Sequence, residues 1–164
     1  MTLNLNCSSA EQIVESSEAL FNLAARVAYT YILIANNFKH IHLNVVGRHF
    51  DRVHGLADSY YQHFQEQSDF WFELAMEGLD GLDNPTNAPS HAEVPTLTEQ
   101  NYDYDTACNS MKDQLETAIS AITQLRSQAT NATDIQSDCD SELSYLNKEY
   151  SYFMRRRCTQ SEIG

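Results

Sequence analysis

Helix breakers are confined to a few places in this chain, and that distribution limits what it can fold into. All three prolines, Pro85, Pro89 and Pro95, fall in one stretch, DGLDNPTNAPSHAEVPTLTEQ. A proline inside a helix removes a backbone donor and clashes with the preceding turn, so the sequence on either side is free to form long helices. The apolar residues follow that permission. Leu20, Leu23, Ala24, Val27, Tyr31, Ile34, Phe38, Ile41 and Val45 recur at three-and-four spacing and predict a first helix over about 10–46. Gly47 then offers a stop, because glycine accepts the left-handed conformation that follows a helix end. Phe50, Val53, Ala57, Tyr61, Phe64, Trp71, Leu74 and Ala75 predict a second helix over about 49–79, ended by Gly78 and Gly81. Beyond the prolines, Ala107, Met111, Leu115, Ala118, Ile119, Ile122 and Leu125 mark a third helix over about 103–128. Ile135, Cys139, Leu143, Leu146, Tyr150 and Phe153 mark a fourth over about 135–157.

Two long helices, one long connection and two more helices make an all-α four-helix bundle with a crossover between helices two and three. That is the connectivity of ferritin-like folds. The crossover has room for a short helix near His91. At 164 residues with 42% apolar content the chain reads as one domain, 1–164, with tails at 1–9 and 158–164. Its net charge of −13 repels phosphate backbones and attracts cations. The N-terminal residues show no basic segment followed by an apolar one, and no run approaches the roughly 18 apolar residues of a membrane span. Cys7, Cys108, Cys139 and Cys158 lie far apart with no CxxC pair. They read as reduced thiols used in packing, in a cytoplasmic protein with no membrane partner.

The polar residues carry the chemistry. HLNVVGRHFDRVH, residues 42–54, holds three of the six histidines. With the turn centred near Gly47 and Arg48, His42 and His54 fall at one height on neighbouring helices. On the second helix, at about 100° per residue, His54, Asp58, Asp69 and Glu73 share an arc of about 100°. They form two i, i+4 pairs, whose side chains lie one above the other. Asp58 and Asp69 are nonetheless about 16 Å apart along the axis, while metal–ligand bonds are about 2.0–2.3 Å. One chain cannot close these groups around one metal. A two-fold dimer whose second helices cross antiparallel near residues 63 and 64 brings the His54/Asp58 end of one subunit to the Asp69/Glu73 end of the other, and symmetry makes two sites. Each site then holds two imidazoles and three carboxylates, a set suited to iron(II) and also to manganese or zinc.

These residues also carry a family resemblance. HLNVVGRHFDRVHGLAD followed by SDFWFE is similar to the signature of the Dps family, the mini-ferritins. The matching positions are His42, Asn44, Val45, Gly47, Phe50, His54, Asp58, Asp69 and Glu73. The resemblance implies a hollow homododecamer of 23 symmetry. It implies ferroxidase sites at the two-fold interfaces, made by His42, His54 and Asp58 of one chain and Asp69 and Glu73 of its mate. By the same resemblance, two irons per site are expected to be oxidised from iron(II) to iron(III) by hydrogen peroxide or oxygen, with the ferric product stored as mineral and protection against oxidative stress as the result. It also implies acidic pores at the three-fold axes, for which Asp134 and Asp138 are the candidates; those carboxylates equally suit the positive end of a helix.

The chain departs from the family pattern at Leu43, where tryptophan is usual, and at Leu74, where arginine is. Trp71 lies between two ligand positions, as interface packing or as an electron donor. Family members that bind DNA use lysine-rich tails. Here no Lys or Arg precedes Arg26 and only three lysines occur in the chain. Arg155, Arg156 and Arg157 read as a helix cap or salt-bridge cluster, so DNA binding is expected to be weak or absent. The rival functional reading is a structural or DNA-protecting cage without fast ferroxidase activity.

Overall fold

The structure, a computed structural model, describes the backbone of residues 6–158, and the side chains of 17–158 other than 153, 155 and 157. The tails expected at 1–9 and 158–164 lie for the most part outside these residues. Two long helices come first, α1 (Asn6–Asn44) and α2 (Phe50–Met76). They form an antiparallel hairpin whose turn contains Gly47 at φ 82° and His49 at φ 66°, the only described residues with positive φ. Glycine takes that conformation freely, whereas His49 takes it against a steric preference. The turn is pinned from outside. Val46 N–H donates to the Tyr102 carbonyl and Tyr102 N–H to the Asn44 carbonyl, both at 2.9 Å, so the end of the crossover is stitched to the end of α1.

The crossover carries one short helical piece, a 3-10 turn over Pro85–Ser90, with the Asn84 side chain accepting from Thr86 N–H at its start. Buried Asn37 clamps the crossover to the bundle. Its amide donates to the Pro95 carbonyl (3.0 Å) and to Gln114 (2.9 Å), and its oxygen accepts from Leu97 N–H (3.1 Å). A buried amide with its partners in place holds a loop in one position. Gly78 follows α2 because nothing larger fits: a Cβ there would lie 1.9 Å from Phe21 Cδ2.

Asp103 opens α3 (Tyr104–Gln128) by accepting from Thr106 N–H at 2.8 Å, the expected role for an aspartate at a helix start. The last expected helix is divided. It runs as α4 (Thr133–Lys148), a π-helical turn over Glu149–Phe153, and α5 (Met154–Cys158). The core is aromatic at its centre, with Tyr31, Phe38, Tyr60, Phe64 and Trp71 fully buried beside Ile34 and Leu115. Phe50, expected to point inward, is 41% exposed; it opens α2 at the rim of the hairpin turn, where its ring stacks on His54.

Two sequence expectations need correction. The first concerns the thiols: Cys108 and Cys158 are paired as a disulfide, Cα atoms 5.9 Å apart, closing a separation of 50 residues. The bundle returns the chain's end to the start of α3, a proximity that cysteine spacing cannot disclose. Cys139 is a free buried thiol, while the Cys7 side chain lies outside the described ones. The second concerns apolar length: Ser17–Asn44 of α1 is long and apolar enough, by length and composition, to cross a membrane. It also contributes Tyr31, Ile34 and Phe38 to the core, with more than half of its apolar window buried.

Candidate metal centre

The hairpin turn places His42 and His54 against each other. Their rings stack with centroids 3.7 Å apart and an interplanar angle of 26°. Each imidazole is held by the other's backbone: His42 Nδ1–H donates to the His54 carbonyl at 3.0 Å, and His54 Nδ1–H donates to the His42 carbonyl at 2.9 Å. A carbonyl only accepts, so both Nδ1 atoms must carry the proton. In the neutral rings this leaves both Nε2 atoms as unprotonated donors of a lone pair. Orientation of a ligating imidazole through a bond at its other nitrogen is how protein metal sites fix tautomer and direction. Both residues are half-buried, and Phe50 stacks on the outer side of His54 at 4.8 Å.

Asp58 lies one turn further along α2, half-buried, with Oδ2 accepting from Gln62 at 2.9 Å. Asp69 and Glu73 are exposed on the same helix, about 16 Å or more further on. The structure therefore brings His42 and His54 together, with Asp58 one turn beyond His54 on α2, while Asp69 and Glu73 stay at the far end. Within one subunit, among the described residues, no three of His, Cys, Asp or Glu gather closely enough to hold a metal ion. The surface near both ends is apolar where solvent would favour polar groups. Leu43 is 67% exposed beside His42, and Phe70, beside Asp69, is also exposed.

The acidic start of α4 divides by role. Asp140 pairs with Arg126, and Glu142 turns into the core. Asp134 is exposed and Asp138 half-buried. Burial, and then the Asp134 charge, push the Asp138 carboxyl above its ordinary range. Cys139, between Asp138 and Asp140, is no ready ligand, because burial and these acidic neighbours push its thiol up to about 12.

Two of the remaining histidines hold the crossover. His40 Nε2–H donates to the Glu99 carbonyl at 2.7 Å, and His91 bonds Asp83 at 2.7 Å while stacking on Tyr29. His63 is different. Its Nε2–H donates to Glu142 Oε1 at 2.9 Å, and the fully buried Tyr31 hydroxyl donates to the same oxygen at 2.8 Å. Nothing in the helical spacing marks this group, because Glu142 is one of several acidic residues near the start of α4 and His63 belongs to no ligand pair. The available signal was that His63 directly precedes core Phe64 and follows buried Tyr60 by three. Trp71 is buried within its own subunit, and its indole N–H finds no hydrogen-bond partner among the described residues. Arg156 lies over the Tyr152 ring; the Arg155 and Arg157 side chains lie outside the described ones.

No protein-family model matches the sequence, and no curated protein does either. Solved structures match the fold. Antigen TpF1 from Treponema pallidum superposes with a TM-score of 0.80 at 16% identity, over 88% of this chain and 94% of that one. A Dps protein from Bacillus brevis gives 0.78 at 15% identity, over 87% and 96%. Dps from Mycobacterium smegmatis gives 0.77 at 16%, over 87% and 88%. At these identities the likeness speaks for architecture alone, and the bundle with its crossover has the Dps fold, the mini-ferritin form of the ferritin-like bundle.

Proposed function

We propose that the chain is a Dps-like ferroxidase and iron store, with iron(II) as its substrate. The observation that carries this reading is the reciprocal clasp between His42 and His54, which leaves both Nε2 atoms unprotonated in the neutral rings, with Asp58 one helical turn beyond His54. His42 and His54 would bind iron(II) through those nitrogens, and Asp58 through its remaining carboxylate capacity. Asp69 and Glu73 of a two-fold mate would complete the site, with room for two irons. Hard carboxylate oxygens favour the ferric product, and zinc or manganese can take the same donors. Two iron(II) ions together give hydrogen peroxide two electrons, and with two protons both oxygens leave as water. No hydroxyl radical is released when the electrons are delivered as a pair. Oxygen is the alternative oxidant. The apolar rims at Leu43 and Phe70 suit burial between subunits, and a closed homododecamer would enclose the mineral. Asp134 and Asp138 are the proposed entry pore. The acidic surface predicts no retained DNA at moderate salt, and a cytoplasmic setting is proposed with the site.

Size-exclusion chromatography tests the assembly, which should elute near twelve times the chain mass. Anaerobic iron(II) titration followed by peroxide tests the chemistry. Fast oxidation that disappears in His54→Ala/Asp58→Ala supports the site. An unchanged rate in that variant overturns it, and a dodecamer that oxidises no faster than free iron establishes a passive cage instead.

A further inference from the structure

Outside the metal site the bundle brings a buried phenol, a buried carboxylate and a half-buried imidazole into contact. Tyr31 on α1 is fully buried, Glu142 on α4 is 5% exposed, and His63 on α2 closes the group with its ring stacked on Tyr145 at 3.8 Å. A buried carboxylate is costly unless its lone pairs are used, and here two donors converge on one oxygen. No packing requirement calls for this arrangement, since an apolar trio would fill the space. Tyr31 lies about 16 Å before His42 along α1 and only about 20° from it around the helix. Aromatic rings step between them. The Tyr31 ring centroid is 4.7 Å from Phe64, Phe64 is 5.4 Å from Phe38, and Phe38 lies one turn before His42.

We propose that Tyr31, with Glu142 as its proton acceptor and His63 as the positioning residue, is a one-electron donor that removes hydroxyl radical formed when a single iron(II) meets peroxide. The proposal rests on the ferroxidase reading for its oxidant. A lone iron(II) gives peroxide one electron and yields iron(III), hydroxide and a hydroxyl radical. Tyr31 then supplies the missing electron: the radical becomes hydroxide, the phenol becomes a neutral phenoxyl, and its proton crosses 2.8 Å to the Glu142 carboxylate. A later iron(II) reduces the phenoxyl, becoming iron(III), while the proton returns from Glu142. Burial first, and the Glu142 charge second, push the Tyr31 hydroxyl well above its ordinary pKa. The phenol therefore does not ionise on its own, and electron and proton must leave together. Tyr60, which donates to Glu149 at 2.6 Å, is the rival donor. Its acceptor is only half-buried, so its proton has less reason to stay and return.

The test is freeze-quench electron paramagnetic resonance on the purified assembly. One arm uses less than one iron(II) per site followed by peroxide. A second uses the metal-free protein and azide radicals from pulse radiolysis, which oxidise aromatic side chains without iron. The expected result in both arms is a radical signal that narrows when tyrosine is ring-deuterated. It is lost in Tyr31→Phe, weakened in Glu142→Gln and retained in Tyr61→Phe. In the iron arm, loss of the signal should be matched by more spin-trapped hydroxyl radical. A signal that survives Tyr31→Phe, that vanishes in Tyr60→Phe instead, or that ignores tyrosine deuteration and so belongs to Trp71 overturns the proposal. Deuteration needs no substitution, so a variant that fails to fold does not stop the test. If iron is not oxidised at all, the ferroxidase reading fails, and the azide arm still decides whether Tyr31 is the donor.

Discussion

Mixing two inactive proteins should restore activity, and by a predictable amount. Variant one carries His54→Ala and Asp58→Ala; variant two carries Asp69→Ala and Glu73→Ala. The pairs sit at opposite ends of α2, about 16 Å apart along a continuous helix, and no single subunit gathers three ligands among the described residues. If each site takes one end from each subunit, both homodimers lack every complete site. In a mixed dimer the two lesions fall together in one site, and the other site is intact. Random pairing of equal amounts makes half the dimers mixed, so about a quarter of the wild-type number of sites should return. Co-expression with two affinity tags and sequential purification isolates the mixed assemblies, and stopped-flow iron(II) oxidation with peroxide counts working sites by burst amplitude. Assemblies selected for mixed dimers alone should reach about half of the wild-type amplitude by the same symmetry argument. A mixture no more active than its separate components, with both dimers shown to form, would refute the shared site. So would either variant retaining the full burst alone, because the ligands would then be drawn from one chain.

Three further outcomes follow from the fold. Asp138 has its folded pKa raised, so the native state holds its proton more tightly than the unfolded state does. Its destabilising contribution is fully present above the folded pKa and fades as pH falls below it, so Asp138→Asn should stabilise the protein at neutral pH and have no effect in strong acid. Urea melts at both pH values check this, and equal midpoints at neutral pH contradict it. The Cys108–Cys158 pair closes a loop of 50 residues, worth about 4 kcal/mol by chain entropy. Reduction should lower the unfolding midpoint by about 8–16 °C. Mass spectrometry after alkylation reports whether the pair is formed, and full alkylation of the untreated protein removes the prediction. Gly78→Ala sets a methyl against the Phe21 ring, and displacing that ring should cost about 1–3 kcal/mol; an unchanged denaturation midpoint shows that the ring yields freely.

What the sequence disclosed and what it hid divide along one physical line. Periodicity is local, so the helices of the hairpin and the start of α3 at Asp103 could be placed within a few residues. The equal heights of His42 and His54 also followed from counting outward from Gly47. Their reciprocal bonds could not be counted: they depend on how closely two backbones approach, and that is set by Gly47, by strained His49 and by the Tyr102 stitch from a segment far along the chain. The same limit hid Glu142. On its own helix it is one more acidic residue near an N-terminus, where the dipole welcomes it. Only the packing of α4 against α1 and α2 turns it inward onto Tyr31 and His63. Cys108 and Cys158 repeat the lesson, since each looks like ordinary packing until α5 returns to α3.

The division also explains why the metal site is the more legible of the two polar centres. In the proposed assembly four of its residues, His54, Asp58, Asp69 and Glu73, would meet a partner subunit along one stripe of α2, where i, i+4 spacing remains visible. The Tyr31–Glu142–His63 group instead draws one residue from each of three helices, and no periodic pattern links residues 31, 63 and 142. A function spread across a bundle interior is silent in sequence even when each contact is short. A function laid along one helix for a neighbour to read leaves its spacing behind. If the two-fold mate is absent in solution, the exposed Leu43, Phe50 and Phe70 lose their reason for being there, because a monomer gains nothing by presenting those apolar groups beside charged ligands.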